Sequence, residues 1–174
     1  TLYSSPHGLE KELHMRRPTH KLFALFIPGL VFALAGATAQ SKPDFSGTWK
    51  ADIAKSDFGA FPAPQSSVSK IDHKDPNLKV SSTSVSDRGE QTIELSFTTD
   101  GAENTNQIGS IEVKSKLKWE GTALLIESKA STEQGEFTVK EKWTLSEDGK
   151  TLTLVRSWAS PMGETTQTLI HGKQ

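Results

Sequence analysis

The stretch EFTVKEKWTLSEDGKTLTLVRSW, residues 136–158, decides the fold of this chain. Apolar and polar side chains alternate on both sides of the loop sequence EDGK at 147–150. Alternation with a period of two indicates strands that bury one face, and a short loop with Asp-Gly joins two such strands into an antiparallel hairpin. Requiring the apolar faces to match selects one register. Its pairs are Leu145 with Leu152, Trp143 with Leu154, Glu141 with Arg156, and Val139 with Trp158.

This register places a carboxylate and a guanidinium opposite each other within an otherwise apolar face. An unpaired charge inside a protein is strongly destabilising, so we expect Glu141 and Arg156 to form an inward-facing ion pair. Two interpretations of the pair follow. It serves only to hold the register of the hairpin, or it anchors the polar head group of a ligand inside a barrel.

Similar segments recur along the chain, separated by turns rich in Gly, Asp and Pro, and no amphipathic helix interrupts them. The predicted strands are 45–50, 68–73, 78–85, 91–99, 103–108, 110–119, 122–130, 136–145, 151–158 and 164–171. An antiparallel up-and-down meander of this kind avoids exposed edges by closing into a barrel or by forming a sandwich. The sequence therefore predicts an all-β fold of eight to ten strands in one domain.

The segments 110–119 and 122–130 form another hairpin with a predictable register. A two-residue turn of Glu120 and Gly121 would join them. The resulting pairs are Trp119 with Thr122, Leu117 with Leu124, and Ser115 with Ile126. The alternating lysines of the first strand then share the outer face with glutamates, which indicates a solvated surface and not a nucleic-acid patch. Small inner side chains at Ser115, Ser128 and Ala130 leave space inside the predicted barrel.

Residues 15–39 have the three parts of a secretory signal peptide. A basic stretch precedes the uncharged run 22–36, and Ala37 and Ala39 are the small residues that signal peptidase reads. The alternative is a transmembrane helix, but such a helix needs about 20 apolar residues, and this shorter run is broken by Pro28. We therefore expect cleavage after Ala39.

Cleavage there leaves a domain at 40–174 that is secreted or periplasmic and has no stable membrane anchor. Residues 1–14 lack periodicity and are interpreted as a non-native or misassigned N-terminal extension. Without the residues before position 40, 16 basic and 19 acidic residues remain, a net charge of −3. A mildly acidic chain without a basic stripe argues against nucleic acid as a partner.

The composition also limits the chemistry. The chain has no cysteine, so neither a disulfide nor a thiol-linked lipid anchor is available. His73 and His171 have no neighbours at metal-ligand spacing, and no nucleophile elbow or nucleotide-binding glycine loop is present. We therefore predict no catalytic residues, no metal site and no cofactor.

The segment DFSGTW at 44–49 resembles the G-x-W signature that opens the first strand of lipocalins and their calycin relatives. The segments GTWK at 47–50, KSDFG at 55–59 and DGKTL at 148–152 are similar to small exported bacterial lipocalin-like proteins of uncharacterised function. The resemblance implies an up-and-down barrel with an internal cavity for an apolar or amphipathic ligand. It also implies that the 52–66 connection forms a lid over the barrel mouth, and that Arg156 packs over Trp49.

The leading hypothesis is thus an exported binding protein whose partner is a small hydrophobic or amphipathic molecule. The expected ligand-binding residues are Trp49, Phe58, Phe61, Trp119, Glu141, Trp143, Arg156 and Trp158. Two alternatives remain: a barrel with a filled core that acts through its surface as an interaction or inhibitor module, and a small barrel enzyme. No feature of the sequence selects an oligomeric state.

Overall fold

The computed structural model describes residues 41–133 and 135–174, and the predicted signal peptide at 15–39 lies outside these ranges. The described residues form ten β-strands. They are β1 (Gly47–Ala51), β2 (Ser66–Lys74), β3 (Asn77–Ser86), β4 (Gly89–Thr98), β5 (Glu103–Ile108), β6 (Ile111–Glu120), β7 (Ala123–Thr132), β8 (Gly135–Leu145), β9 (Thr151–Ser160) and β10 (Gly163–Lys173). No helix in the two ranges is long and apolar enough to cross a membrane.

The strands form one sheet in the order β4-β3-β2-β1-β10-β9-β8-β7-β6-β5, and the paired strands are antiparallel. Most strands lie beside their neighbours in the chain, and the pairing of β1 with β10 joins the first strand to the last. β4 and β5 lie side by side without a backbone ladder between the described residues. The sheet is therefore a nearly closed barrel, which confirms the predicted all-β meander of eight to ten strands.

The hairpin of β8 and β9 has the predicted register, with Leu145 opposite Leu152 and Glu141 opposite Arg156. Its loop is held by the backbone hydrogen bond from Ser146 N to Thr151 O at 2.9 Å. Gly149 has a φ of 67°, a left-handed conformation that glycine adopts without steric cost. Because the loop length fixes the register of a hairpin, all four predicted pairs form.

The hairpin of β6 and β7 differs from the prediction by two residues. Its turn consists of Gly121 and Thr122, and Glu120 pairs with Ala123. The observed pairs are Trp119 with Leu124, Leu117 with Ile126, and Ser115 with Ser128. A shift of two residues keeps every side chain on its own face, so matching apolar faces cannot distinguish these two registers. Gly121, with a φ of 59°, occupies the first position of the turn. The position of this glycine in the turn therefore selects the observed register.

The end of the barrel at which β1 begins, called the closed end below, is filled with aromatic side chains. Phe45 is fully buried, stacks on Trp119 and meets Trp143 edge-on, with ring centroids 5.8 Å apart in both cases. Its carbonyl accepts a hydrogen bond from Nε1 of Trp49 at 2.8 Å. The predicted first strand began at Phe45, whereas β1 begins at Gly47, because Phe45 turns into the barrel as a plug.

Hydrogen bonds to one ionised carboxylate connect several segments at the closed end. Asp75 accepts hydrogen bonds from Lys42 Nζ at 2.8 Å, Thr99 Oγ1 at 2.5 Å and Trp119 Nε1 at 3.1 Å. The bonds from Lys42 and Thr99 are the main reasons that the pKa of Asp75 falls to about 2. The segment before β1 is thus fixed across the closed end.

Two asparagines bridge the seam between β4 and β5. The amide of Asn106 accepts from Ser96 N at 2.8 Å and donates to Ser96 O at 3.0 Å. The amide of Asn104 accepts from Thr98 N at 2.8 Å and donates to Thr98 O at 3.4 Å. A side-chain amide has the donor and acceptor of a peptide group, so these two side chains replace the missing backbone ladder.

Removing both seam amides should loosen β4 more than it destabilises the barrel. In a variant with Asn104→Ala and Asn106→Ala we expect a loss of about 1–2 kcal/mol in the free energy of unfolding, since these hydrogen bonds are partly exposed to water. Hydrogen exchange at the amides of Ser96 and Thr98 should accelerate. Thr105→Ala, between the two asparagines, is the control and should change neither quantity. Unaltered exchange in the double variant would contradict this function of the asparagines.

Candidate ligand site inside the barrel

A polar row crosses the inner face of β8 to β10, beside Ile126 of β7. Ile126, Glu141, Arg156 and Gln167 are directly opposite one another in successive ladders. Side chains opposite each other in antiparallel strands point to the same face, and Ile126 belongs to the buried core. Arg156 Nη2 donates to Glu141 Oε2 at 3.2 Å, so the predicted inward-facing ion pair is confirmed.

This ion pair adjoins accessible space inside the barrel. The side chain of Glu141 is 14% exposed and that of Arg156 is 26% exposed. Because both side chains point inward about halfway along β8 and β9, their exposed atoms face the barrel interior. A ligand that enters this space would therefore meet a carboxylate and a guanidinium.

The pair also has unused hydrogen-bonding capacity. Glu141 Oε2 accepts from Arg156 and, at 3.0 Å, from Trp143 Nε1, whereas Oε1 receives no hydrogen bond from the described residues. Arg156 Nε is buried and has no partner among those residues. Buried polar atoms are normally satisfied, so the unpartnered Nε is an unfilled hydrogen-bonding position in this polar row.

Gln167, which is opposite Arg156 in the ladder, joins Trp158 to the connection between β1 and β2. Its Oε1 accepts from Trp158 Nε1 at 3.1 Å, and its Nε2 donates to the carbonyl of Phe58 at 3.1 Å. Gln167 is not among the residues predicted from the sequence. Extending the register of the last hairpin would have found it, because Arg156 and Gln167 are paired in β9 and β10.

The connection 52–65 runs along β10 toward the opposite end of the barrel, called the loop end below. Asp57 and Thr168 exchange two backbone hydrogen bonds of 2.8 Å. Gly59, with a φ of 58°, lies so close to Thr166 that any side chain would collide with the Thr166 carbonyl. The connection is therefore held against β10, and Phe61 reaches Trp158 at the loop end.

Three aromatic rings meet at the loop end. Trp158 lies 5.3 Å from Phe61 and 6.0 Å from Phe137 between ring centroids. Arg156 lies 6.0 Å from the Trp158 ring, which connects the aromatic group to the ion pair. Phe61 is 42% exposed, so it covers Trp158 from the solvent side. Of the predicted ligand-binding residues, the structure brings the side chains of Phe61, Glu141, Arg156 and Trp158 together here, and Phe58 contributes its backbone carbonyl.

The other predicted residues lie at the closed end. Trp49 and Trp143 are buried in the core cluster, and Trp119 packs against that cluster. Arg156 does not pack over Trp49, so this expectation from the resemblance is wrong. Lys173 Nζ lies 5.2 Å from the Trp49 ring instead, because Lys173 is directly opposite Trp49 in the ladder of β1 and β10.

Hydroxyl pairs line the inner face above the core. Ser69 and Ser82 share a hydrogen bond of 2.9 Å, and Ser115 and Ser128 share one of 2.8 Å. Ser69 lies two residues from the buried Ile71, on the same face of β2. Two hydroxyls have two donors between them and use one in their mutual bond, so each pair retains a donor and several acceptor positions. The sequence predicts Ser115 and Ser128 only as small inner residues, and the pair of Ser69 and Ser82 was not predicted.

The two histidines of the barrel are buried near the closed end. Burial is the largest cause that lowers the pKa of His171, and the charge of Arg156 acts in the same direction. His73 Nδ1 accepts a hydrogen bond from Phe45 N at 3.3 Å. Among residues 41–133 and 135–174, no three His, Cys, Asp or Glu residues form a group that could hold a metal ion.

A groove of about 980 Å³ crosses the outer face of β6 to β9, and its lining also includes Glu141 and Phe137 of the interior site. Its walls carry lysines and glutamates, with Leu125 and the 40% exposed Val155 between them. Several of the charges pair with one another, for example Lys129 with Glu127 at 3.3 Å. The outer groove is therefore amphipathic and nearly balanced in charge.

No protein-family model and no curated protein matches this chain. Solved structures do resemble it. Two are secretory abundant heat soluble proteins of Ramazzottius varieornatus, with TM-scores of 0.57 and 0.54 and identities of 13% and 16%. The first match covers 79% of this chain and 100% of that one, and the second covers 78% and 99%.

A third similar structure is the zebrafish ileal bile acid-binding protein complexed with cholic acid. Its TM-score is 0.50 at 14% identity, over 75% of this chain and 98% of that one. Identities this low establish a shared architecture. Together with the strand order, these likenesses show that the chain has the lipocalin-like, calycin-type barrel fold.

Proposed function

We propose that this protein is an exported binding protein for a small amphipathic molecule, which it holds in the loop-end half of the barrel. One observation carries the proposal: Glu141 and Arg156 point inward and yet remain partly exposed, with unused hydrogen-bonding atoms. Polar atoms of both side chains are therefore within reach of a ligand inside the barrel. Barrel mouths lined by aromatic residues and a few polar groups are common sites for small ligands.

Two further facts support this function. The zebrafish structure of the same architecture contains cholic acid, an amphipathic molecule. The signal-peptide pattern at 15–39 supports export to the periplasm or the medium. The ligand of the barrel is then a molecule that is present outside the cytoplasm.

Native mass spectrometry of the protein from the exported fraction of its own host tests the proposal. We expect a retained small molecule that is lost on denaturation, on a chain that begins at Gln40. Trp158→Ala should reduce the retained fraction roughly tenfold, as expected for an aromatic anchor in a ligand site. Val155→Ala is the control, because this neighbour on β9 points outward. Equal retention by both variants would place the ligand elsewhere.

The outer groove favours a second candidate function, a surface interaction module. Leu125 and Val155 give it apolar contact area, and lysines surround them. A partner bound there would be lost in a Leu125→Glu variant and kept in Trp158→Ala. A protein that carries no retained molecule, and whose partner responds in this way, would support this candidate over the first.

A further inference from the structure

The charge inside the barrel restricts what the proposed site can bind. Glu141 already neutralises Arg156 at 3.2 Å. A ligand carboxylate at Arg156 would place a second negative charge beside Glu141, and a ligand ammonium would meet the guanidinium. In partly desolvated surroundings, the repulsion between adjacent like charges would weaken the binding of either ligand. The interior thus favours a ligand without net charge.

The polar atoms of the site specify the chemistry further. Glu141 Oε1 is an acceptor, and the partly exposed guanidinium of Arg156 is a donor. The half-buried pair of Ser69 and Ser82 retains both functions. A hydroxyl group donates one hydrogen bond and accepts two, so it can satisfy either kind of partner. An ether or an ester would satisfy only the donors.

The aromatic rings and the filled core restrict the shape of the ligand. Phe45, Leu78 and Leu117 are fully buried at the closed end, so a long acyl chain has no space to extend there. Trp158 and Phe137 instead offer broad apolar faces beside the polar atoms. A compact molecule with one C–H face and several hydroxyls fits these surroundings.

We infer that the barrel selects an uncharged, polyhydroxylated amphiphile, such as a glycoside, over a fatty acid. This inference rests on the proposed function, since it names the ligand class for the same site. Glu141 and Arg156 bind the hydroxyl groups, the pair of Ser69 and Ser82 binds those farther away, and Trp158 packs on the carbon face. The wall of β2 and β3 lies on the far side of the barrel from β8.

Three probes separate the ligand classes: octyl β-D-glucoside, decanoate and 1-octanol, all below micelle-forming concentrations. Binding is measured by tryptophan fluorescence and by native mass spectrometry, with Trp158→Phe to locate the response. We expect the glucoside to bind at least about tenfold more tightly than either other probe, the effect of one net hydrogen bond. Decanoate that binds as tightly as the glucoside overturns the inference and leaves the proposed function intact.

Two sets of variants test the assigned atoms. In Glu141→Gln the guanidinium loses its counterion, so the preference should reverse and decanoate should bind more tightly than the glucoside. Ser69→Ala with Ser82→Ala leaves the ion pair intact and should weaken the glucoside about tenfold without affecting 1-octanol. The matched control is Thr83→Ala with Thr92→Ala, which removes a hydroxyl pair of 2.8 Å from the outer face of β3 and β4.

The outcomes distinguish the two proposals. Weaker glucoside binding in the serine variant, together with unaltered binding in the threonine variant, supports the hydroxyl-selective site. Equal weakening in both variants overturns it. If none of the three probes changes the fluorescence of Trp158 or remains bound in native mass spectra, the proposed function fails together with the inference.

Discussion

Replacing Phe45 by alanine is expected to lower the free energy of unfolding by about 4 kcal/mol, within the range for losing a buried phenylalanine. Phe45 is fully buried and packs against His73, Trp119 and Trp143. Its ring lies before β1 and across the closed end, so no neighbouring side chain in a strand can move to fill the cavity. The measurement is chemical denaturation followed by tryptophan fluorescence.

Phe61→Ala is the control for this experiment. Phe61 is 42% exposed and contacts Trp158 at the loop end, so its removal should cost less than about 1 kcal/mol. Similar losses in the two variants would show that the closed end does not depend on the Phe45 plug. Octyl glucoside should stabilise the Phe45 variant as well as the native protein, because the proposed site lies at the other end.

Glu141→Ala should cost about 3 kcal/mol of unfolding free energy, since it leaves Arg156 without a counterion in a largely desolvated position. It also deprives Trp143 Nε1 of its acceptor. The double variant Glu141→Met with Arg156→Met should recover most of this loss, because two apolar side chains of similar volume need no partner. Equilibrium denaturation of the single and double variants gives the coupling between the two sites.

The sign of that coupling decides between two functions of the pair. Recovery of stability in the double variant, with loss of the retained ligand, means that the pair is kept for binding. A double variant that is as unstable as Glu141→Ala would instead mean that the pair holds the register of β8 and β9. Lys140→Ala, on the outer face beside Glu141, controls for the loss of a charge from β8.

Local sequence predicted most of the architecture because strand alternation and turn length act over a few residues. The four-residue loop after Leu145 fixed the pairing of Glu141 with Arg156, and the structure has that pairing. The turn at Gly121 was predicted one residue too early, and the register of β6 and β7 was therefore wrong by two. Both registers place apolar side chains on the inner face, so matching the apolar faces could not distinguish one register from the other.

Tertiary structure decided which aromatic residues belong together. Four tryptophans and two phenylalanines were predicted to line one site, but Trp49, Trp119 and Trp143 lie at the closed end, whereas Phe58, Phe61 and Trp158 lie at the loop end. The position of a residue along its strand determines the end of the barrel at which its side chain lies. This end can be assigned only when all the strands are aligned around the barrel. Gln167 joins the site for the same reason, through its pairing with Arg156.

By itself, the sequence determined that the chain forms an antiparallel meander and that an inward ion pair lies in its β8 and β9 hairpin, because both follow from contacts between neighbours in the chain. Only the tertiary structure decided how the barrel closes, through the pairing of β1 with β10 and the amides of Asn104 and Asn106. It alone also showed that the closed end is filled while the ion pair remains accessible. These properties depend on residues far apart in the chain, whose packing no local pattern encodes.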